Sequence, residues 1–259
     1  MPGSGGQNPQ RSGRVIFVSA GPGAADLITL RGARALGEAD IVLTDALADP
    51  ALRDLAPQAR WMWVGKRGFE HSAKQAEINA MLVKAAQEHA LVVRLKGGDA
   101  SIFGRLEEEL QALAEAGIES ETVPGVTAAC AAAAQTQRPL TRRGRGRNVS
   151  LTTAMTEDGV LRAARSADTE VFYMAGRQLA SLGQQLLAAG WAPDTPALVV
   201  SRAGCPDART SEHALADVAD AAPLHGGRPA VLIVGTGATP AVVPASNKIV
   251  VSPEIKSSP

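Results

Sequence analysis

Two titratable side chains stand out by type and position. Asp45 closes the apolar run Ile41-Val42-Leu43-Thr44, and Lys66 follows Trp61-Met62-Trp63-Val64-Gly65. An acid and an amine beside a low-dielectric pocket can take and return protons during a reaction. The same two groups could equally make an ordinary ion pair on a rim. A third feature is Gly97-Gly98-Asp99, where two residues without Cβ let backbone approach a ligand closely. Asp99 could contact that ligand, or serve the turn as an Asx side chain.

Gly21-Pro22-Gly23-Ala24-Ala25-Asp26 resembles a dinucleotide-binding turn, with Asp45 as the ribose acid at about the expected distance. The detail fails. Asp26 replaces the third glycine, and its carboxylate would repel a pyrophosphate from a helix N-terminus. Pro22 removes a backbone donor from the turn, and no phosphate-binding loop of the GxxxxGK type is present. A nucleoside without phosphate suits these turns better. S-adenosylmethionine is such a ligand, with ribose hydroxyls, an adenine, an amino-acid end and a sulfonium cation.

Arg138, Arg142, Arg143, Arg145 and Arg147 concentrate basic charge in one segment. Guanidinium forks match carboxylates and phosphates bidentately. The segment could be a solvated linker, a nucleic-acid contact, or a binding strip for a polyanionic substrate entering a cleft; its place between two domains favours the last. His71, His89, His213 and His225 lack ligand-type spacing, and Cys130 and Cys205 form no metal-type pair, so no metal site is expected.

The chain has 259 residues with 26 basic and 26 acidic side chains, giving zero formal charge. That balance argues against a general nucleic-acid or membrane-surface role. Aromatic residues make up 3%, which leaves few stacking platforms for single strands. No apolar run approaches the roughly 18 residues of a membrane span. Met1–Ser12 has no apolar segment of secretory type, and the cysteine usage suggests a reducing, cytoplasmic setting.

The elements that must position these residues alternate. Strands are expected at Arg14–Ala20, Ile41–Leu43, Trp61–Val64, Leu91–Leu95 and Thr122–Val123. Helices are expected at Thr29–Gly37, Ser72–His89, Leu106–Ala116 (capped by Gly117) and Ala128–Ala134. The order implies a parallel sheet with right-handed crossovers, whose polar strand ends gather along one edge. A domain boundary is placed near Arg145. Beyond it come strands at Val149–Thr152, Val171–Met174, Ala197–Val200, Thr210–His213 and Ala230–Val234. Helices interleave at Asp158–Arg165, Gln178–Ala189 and Leu215–Ala222. The expected organisation is a disordered leader (1–12), an N-terminal α/β domain (13–144) with a mainly parallel sheet, a C-terminal α/β domain (145–240) with a mixed sheet, and a flexible tail (241–259), with a ligand cleft between the domains.

An ordered set of segments resembles the tetrapyrrole methylase family over roughly Val15 to Gly235. It comprises Val18-Ser19-Ala20-Gly21-Pro22-Gly23, Leu43-Thr44-Asp45-Ala46-Leu47, Val64-Gly65-Lys66-Arg67, Val92 to Gly104, Val123-Pro124-Gly125-Val126-Thr127-Ala128, Pro139-Leu140-Thr141 and Phe172-Tyr173-Met174. The resemblance implies a homodimer of two-domain α/β subunits that uses S-adenosylmethionine as methyl donor and releases S-adenosylhomocysteine. Family cofactor contacts would fall on Pro22, Gly97, Gly98, Asp99, Ile102, Thr127, Ala128, Met174 and Gly204. The proton acceptor and donor would be Asp45 and Lys66. The implied reaction is C-methylation of uroporphyrinogen III at two ring carbons, through precorrin-1 to precorrin-2. That small-molecule tetrapyrrole carries eight carboxylates, which would give Arg138, Arg142, Arg143 and Arg145 a purpose. Methylation of another corrin precursor, or donor binding with altered activity, are the alternatives.

Overall fold

A computed structural model describes residues 13–64, 75–155 and 163–241. The expected leader, Lys66, the first residues of the helix expected from Ser72, most of the helix expected at Asp158–Arg165, and the tail beyond Ala241 lie outside the described residues. Ala163–Arg165, the described part of that expected helix, is not helical.

The first sheet contains β1 (Arg14–Ser19), β2 (Ile41–Thr44), β3 (Arg60–Trp63), β4 (Leu91–Lys96) and β5 (Ser120–Val123). All pairs are parallel, in the order β3-β2-β4-β1-β5. The central strands are apolar at nearly every position because both faces are covered. Ile16, Val18 and Leu95 face a layer with Leu36 and Leu52. Val15, Phe17 and Leu43 face the opposite layer, with Leu82 and Leu113. These layers come from α1 (Leu30–Gly37) on one side and from α2 (Gln75–Glu88) and α3 (Leu106–Glu115) on the other. Thr29 caps α1 by accepting the Gly32 amide at 3.1 Å.

The second sheet contains β6 (Val149–Thr153), β7 (Thr169–Tyr173), β8 (Pro196–Ser201), β9 (Arg209–Ala214) and β10 (Ala230–Gly235). Its order is β6-β7-β10-β8-β9, with β6 parallel to β7 and every other pair antiparallel. The two sheets are thus parallel and mixed, as the sequence implies. Helix α5 (Leu179–Ala188) covers one face through Leu179, Leu182 and Leu186. On the other face lies α4 (Ala128–Gln135), whose Ala129, Ala131 and Ala132 pack on Val171, Val200 and Ile233. Small side chains let this helix lie close to the sheet. The packing therefore changes lobe between Val123, in the first core, and Ala129, in the second. The boundary expected near Arg145 comes after that change: α4 precedes Arg145 in the chain but belongs to the second core.

Candidate active site

The carboxyl ends of β1, β2 and β4 and the turn before α4 face the ends of β7 and β8 across a cavity of about 940 Å³. This is the crevice that parallel sheets form beyond their strand ends. From the first lobe, Pro22, Asp45, Gly97, Gly98, Asp99 and Ile102 line it. Thr127 and Ala128 line it at the start of α4, and Met174 lines it from the second lobe. Gly204 does not. Its neighbours Ala203 and Cys205 do, while Gly204 itself lies against Pro22, where a Cβ would stand 2.0 Å from the proline carbonyl oxygen. Gly204 accepts a hydrogen bond from the Ala24 amide at 3.0 Å, so it joins the lobes at the cavity's edge.

The two glycine turns are built as one unit. Gly21 and Gly98 exchange backbone hydrogen bonds, Gly21 N–H to Gly98 at 3.1 Å and Gly98 N–H to Gly21 at 2.8 Å. Gly98 sits at φ 70°, which a residue with Cβ adopts at a cost. Asp99 fastens this unit to the next turn. One carboxylate oxygen accepts from the Gly125 amide at 2.8 Å, and the other accepts from the Ser101 amide at 2.8 Å and from its hydroxyl. Burial pushes the Asp99 carboxyl up, but these hydrogen bonds outweigh it and hold the group below its ordinary value. Asp99 thus bonds within its own turn and lines the cavity.

Backbone strain gathers at the same place. Phe103, Arg105, Met174 and Arg202 all hold φ between 52° and 57°, and all four line the cavity. Left-handed backbone costs a non-glycine residue about 1–2 kcal/mol, and such strain clusters at ligand sites. Met174 was expected inside its strand; the left-handed turn ends β7 at Tyr173 and leaves the methionine 40% exposed in the cavity. Tyr173, the only tyrosine in the chain, shares a 2.7 Å hydrogen bond with the Thr127 hydroxyl. Its oxygen also accepts from the Ala129 amide at 3.4 Å, so it caps α4 in place of Thr127. Burial raises the Tyr173 phenol.

Asp45 stands at the end of β2, half-buried, with one oxygen accepting the Leu47 amide at 3.0 Å. Its other oxygen lies 3.9 Å from Arg94. Arg94 Nε donates to Glu109 at 2.9 Å, and Lys96 Nζ donates to the second Glu109 oxygen at 2.5 Å. Arg94, Lys96 and Glu109 are buried, and the two basic residues line the cavity floor. Sequence reasoning missed this cluster. Its one signal was the pair of basic residues at i and i+2 in an apolar strand, which places both on one face.

The expected substrate arginines lie elsewhere. None of Arg138, Arg142, Arg143 and Arg145 lines the cavity. Helix α4 begins at the cavity and runs away from it, and these residues follow its far end. Arg138 is buried and pairs with Glu212 on β9 at 2.5 Å. Arg142 donates to the carbonyls of Thr239 and Pro240, and Arg143 and Arg145 are exposed on the turn that Arg142 and Gly146 close. Arg138 and Arg142 thus hold the connection between α4 and β6. The guanidinium groups that do line the cavity are Arg94 on its floor and two on its walls: Arg105, paired with Glu108 at 2.7 Å, and Arg202, paired with Asp207 at 2.8 Å.

The dinucleotide reading fails in the structure as it does in the sequence. The Ala25 amide, which a pyrophosphate would need, donates to the Asp49 carboxylate at 3.2 Å, and the Ala24 amide is taken by Gly204. The walls offer backbone groups, apolar side chains and the carboxylates of Asp45, Asp49 and Asp99, beside the cations Arg94, Lys96, Arg105 and Arg202, each of which is paired with a carboxylate. Acids and backbone groups beside the glycine turns suit a sulfonium nucleoside. Among the described residues no group of three or more His, Cys, Asp or Glu side chains could hold a metal, and no helix is long and apolar enough to cross a membrane.

Comparison with known proteins agrees with this geometry. Residues 14–219 match the family described as Tetrapyrrole (Corrin/Porphyrin) Methylases. The chain is 42% identical over 229 residues to a uroporphyrinogen-III C-methyltransferase of Pseudomonas aeruginosa, covering 86% of this chain and 94% of that protein. Among solved structures, a uroporphyrin-III C-methyltransferase of Thermus thermophilus complexed with S-adenosylhomocysteine superposes with a TM-score of 0.76. The two share 37% identity over 86% of this chain and 97% of that one. A cobalt precorrin-4 methyltransferase superposes with a TM-score of 0.77 at 28% identity, covering 88% of this chain and 96% of that one. The chain belongs to the tetrapyrrole methylase family.

Proposed function

We propose that this member of the tetrapyrrole methylases carries out the S-adenosylmethionine-dependent C-methylation of uroporphyrinogen III. In this reading two ring carbons are methylated in turn, through precorrin-1 to precorrin-2. The observation that carries it is the convergence of the glycine turns, Asp99, Thr127 and Met174 on one cavity, in a chain so similar to an enzyme of that name.

The donor supplies an electrophilic methyl group on a sulfonium. The backbone of Gly97, Gly98 and Thr127 and the apolar surfaces of Pro22, Ile102, Ala128 and Met174 hold the nucleoside, so that methyl and ring carbon meet in line. Positioning is the main demand of such a displacement. The ring carbon's electron pair forms the new carbon–carbon bond, and the carbon–sulfur bond breaks with its pair left on sulfur. The methylated ring is then cationic. Asp45 takes a proton from it, which restores conjugation, and passes that proton to solvent; Lys66 is the expected partner of Asp45 in proton exchange at the site. The substrate's carboxylates are met by Arg105 and Arg202, one on each lobe, in place of the arginine segment behind α4. A cytoplasmic homodimer completes the reading.

Incubation with uroporphyrinogen III and S-adenosylmethionine should give precorrin-2, followed by absorbance and mass. A second reading, methylation of a later corrin precursor, is favoured by the equally good superposition on the cobalt precorrin-4 enzyme. Turnover of a later precorrin, with none of uroporphyrinogen III beside an active control, would select it.

A further inference from the structure

We propose that Glu109, acting through Arg94, is a positioning residue that holds the Asp45 carboxylate for the proton step of methyl transfer. The proposal rests on the reading of Asp45 as the base.

Glu109 lies in the first turn of α3 with no exposed surface. A buried carboxylate is costly unless each of its oxygens is paired. Here both are, one with Arg94 at 2.9 Å and one with Lys96 at 2.5 Å. Arg94 and Lys96 sit two positions apart on β4, so both side chains leave the same face of the sheet and reach the same acid. Without Glu109 two cations would face each other in an apolar layer. Burial and the neighbouring Arg94 push the Lys96 ammonium below its ordinary value, against the pull of Glu109.

Arg94 then works as a brace. Its Nη1 donates to the Leu95 carbonyl at 2.9 Å and reaches the Leu43 carbonyl at 3.4 Å. Leu43 is two residues before Asp45 on β2, so Arg94 ties the strand that carries the acid to the strand that carries the glycine turn. The same nitrogen lies 3.9 Å from the Asp45 carboxylate, whose other oxygen is held by the Leu47 amide. Two cations face one fully buried carboxylate, so the unbalanced positive charge is directed at Asp45. Glu109 fixes Arg94, Arg94 holds the Leu43 carbonyl of the strand that carries the acid and sets its charge 3.9 Å from the carboxylate, and the acid faces the cavity.

The test is a double-mutant cycle between Glu109→Gln and Asp45→Asn, read as kcat for uroporphyrinogen III and as Kd for S-adenosylhomocysteine. Glu109→Gln should lower kcat at least tenfold with Kd changed less than twofold, and it should cost nothing further in the Asp45→Asn background. A kcat within twofold of the parent, or a full additional loss beside Asp45→Asn, overturns the proposal. Full turnover by Asp45→Asn alone instead overturns the reading of Asp45 as base. If Glu109→Gln does not fold, Arg94→Lys enters the same cycle. It keeps the buried charge and lacks the second nitrogen that reaches Asp45, and the same outcomes decide.

Discussion

The Asp99 carboxylate accepts the Gly125 amide at 2.8 Å and thereby fastens the turn after β4 to the turn before α4. Removing it should loosen both walls of the nucleoside site at once. Asp99→Ala is expected to weaken S-adenosylhomocysteine binding about tenfold and to lower stability by about 1 kcal/mol, the worth of its hydrogen bond to the part-buried Gly125 amide. Calorimetry and urea unfolding measure the two. Because the folded carboxyl titrates below its ordinary value, its contribution is present above about pH 4 and is lost as pH falls through the native value. The variant should therefore show a flatter acid limb.

Asp45→Asn keeps the shape of the side chain and its contact with the Leu47 amide, but it gives up the base. Turnover should fall by about 10²–10⁴-fold, the usual worth of a positioned proton acceptor. S-adenosylhomocysteine affinity should stay within twofold. Equal losses of turnover and affinity would mean that Asp45 builds the pocket and does not act in it.

Arg143 and Arg145 are exposed behind α4. The double variant Arg143→Ala, Arg145→Ala should leave KM for the tetrapyrrole within twofold, whereas Arg202→Met should raise it several-fold by removing a cation from the cavity wall. A large KM effect in the first and none in the second would return the substrate to the arginine segment.

His225 is fully buried, between the hydroxyls of Ser201 at 2.9 Å and Ser211 at 3.0 Å. Burial, with help from the charges of His213, Arg228 and Arg209, lowers its pKa to about 4. A depressed histidine favours the neutral fold, so its stability contribution is complete above about pH 6.5 and is lost as pH falls from there towards 4. The full loss is on the order of 2–3 kcal/mol. Denaturant unfolding at pH 7 and pH 4.5 should show it in the parent, and His225→Asn should show a smaller drop.

Much of this was legible because it is local. Apolar runs that stop at glycine, aspartate or threonine announce parallel strands with a ligand edge, and Gly97-Gly98-Asp99 gains its meaning from the other strand ends gathered beside it. What escaped was what depends on distance in space. Lys96 lay just past the expected end of its strand, and Glu109 is one of three consecutive acids at the start of α3; only the crossing of α3 over β4 singles it out. The arginine segment failed in the opposite way. Composition revealed a dense charge, but its location at the remote end of α4 is a property of the packing. A helix at Ala128–Ala134 is expected and observed, yet its sequence could not say which of the two sheets it would cover.

The contact between Pro22 and Gly204 has a mechanical consequence. Backbone meets backbone there with no room for a single added carbon, and the Ala24 amide bonds across the same seam. Any side chain at position 204 would prise the lobes apart at the rim of the cavity, so the fit of the two halves depends on the one residue type that has no Cβ.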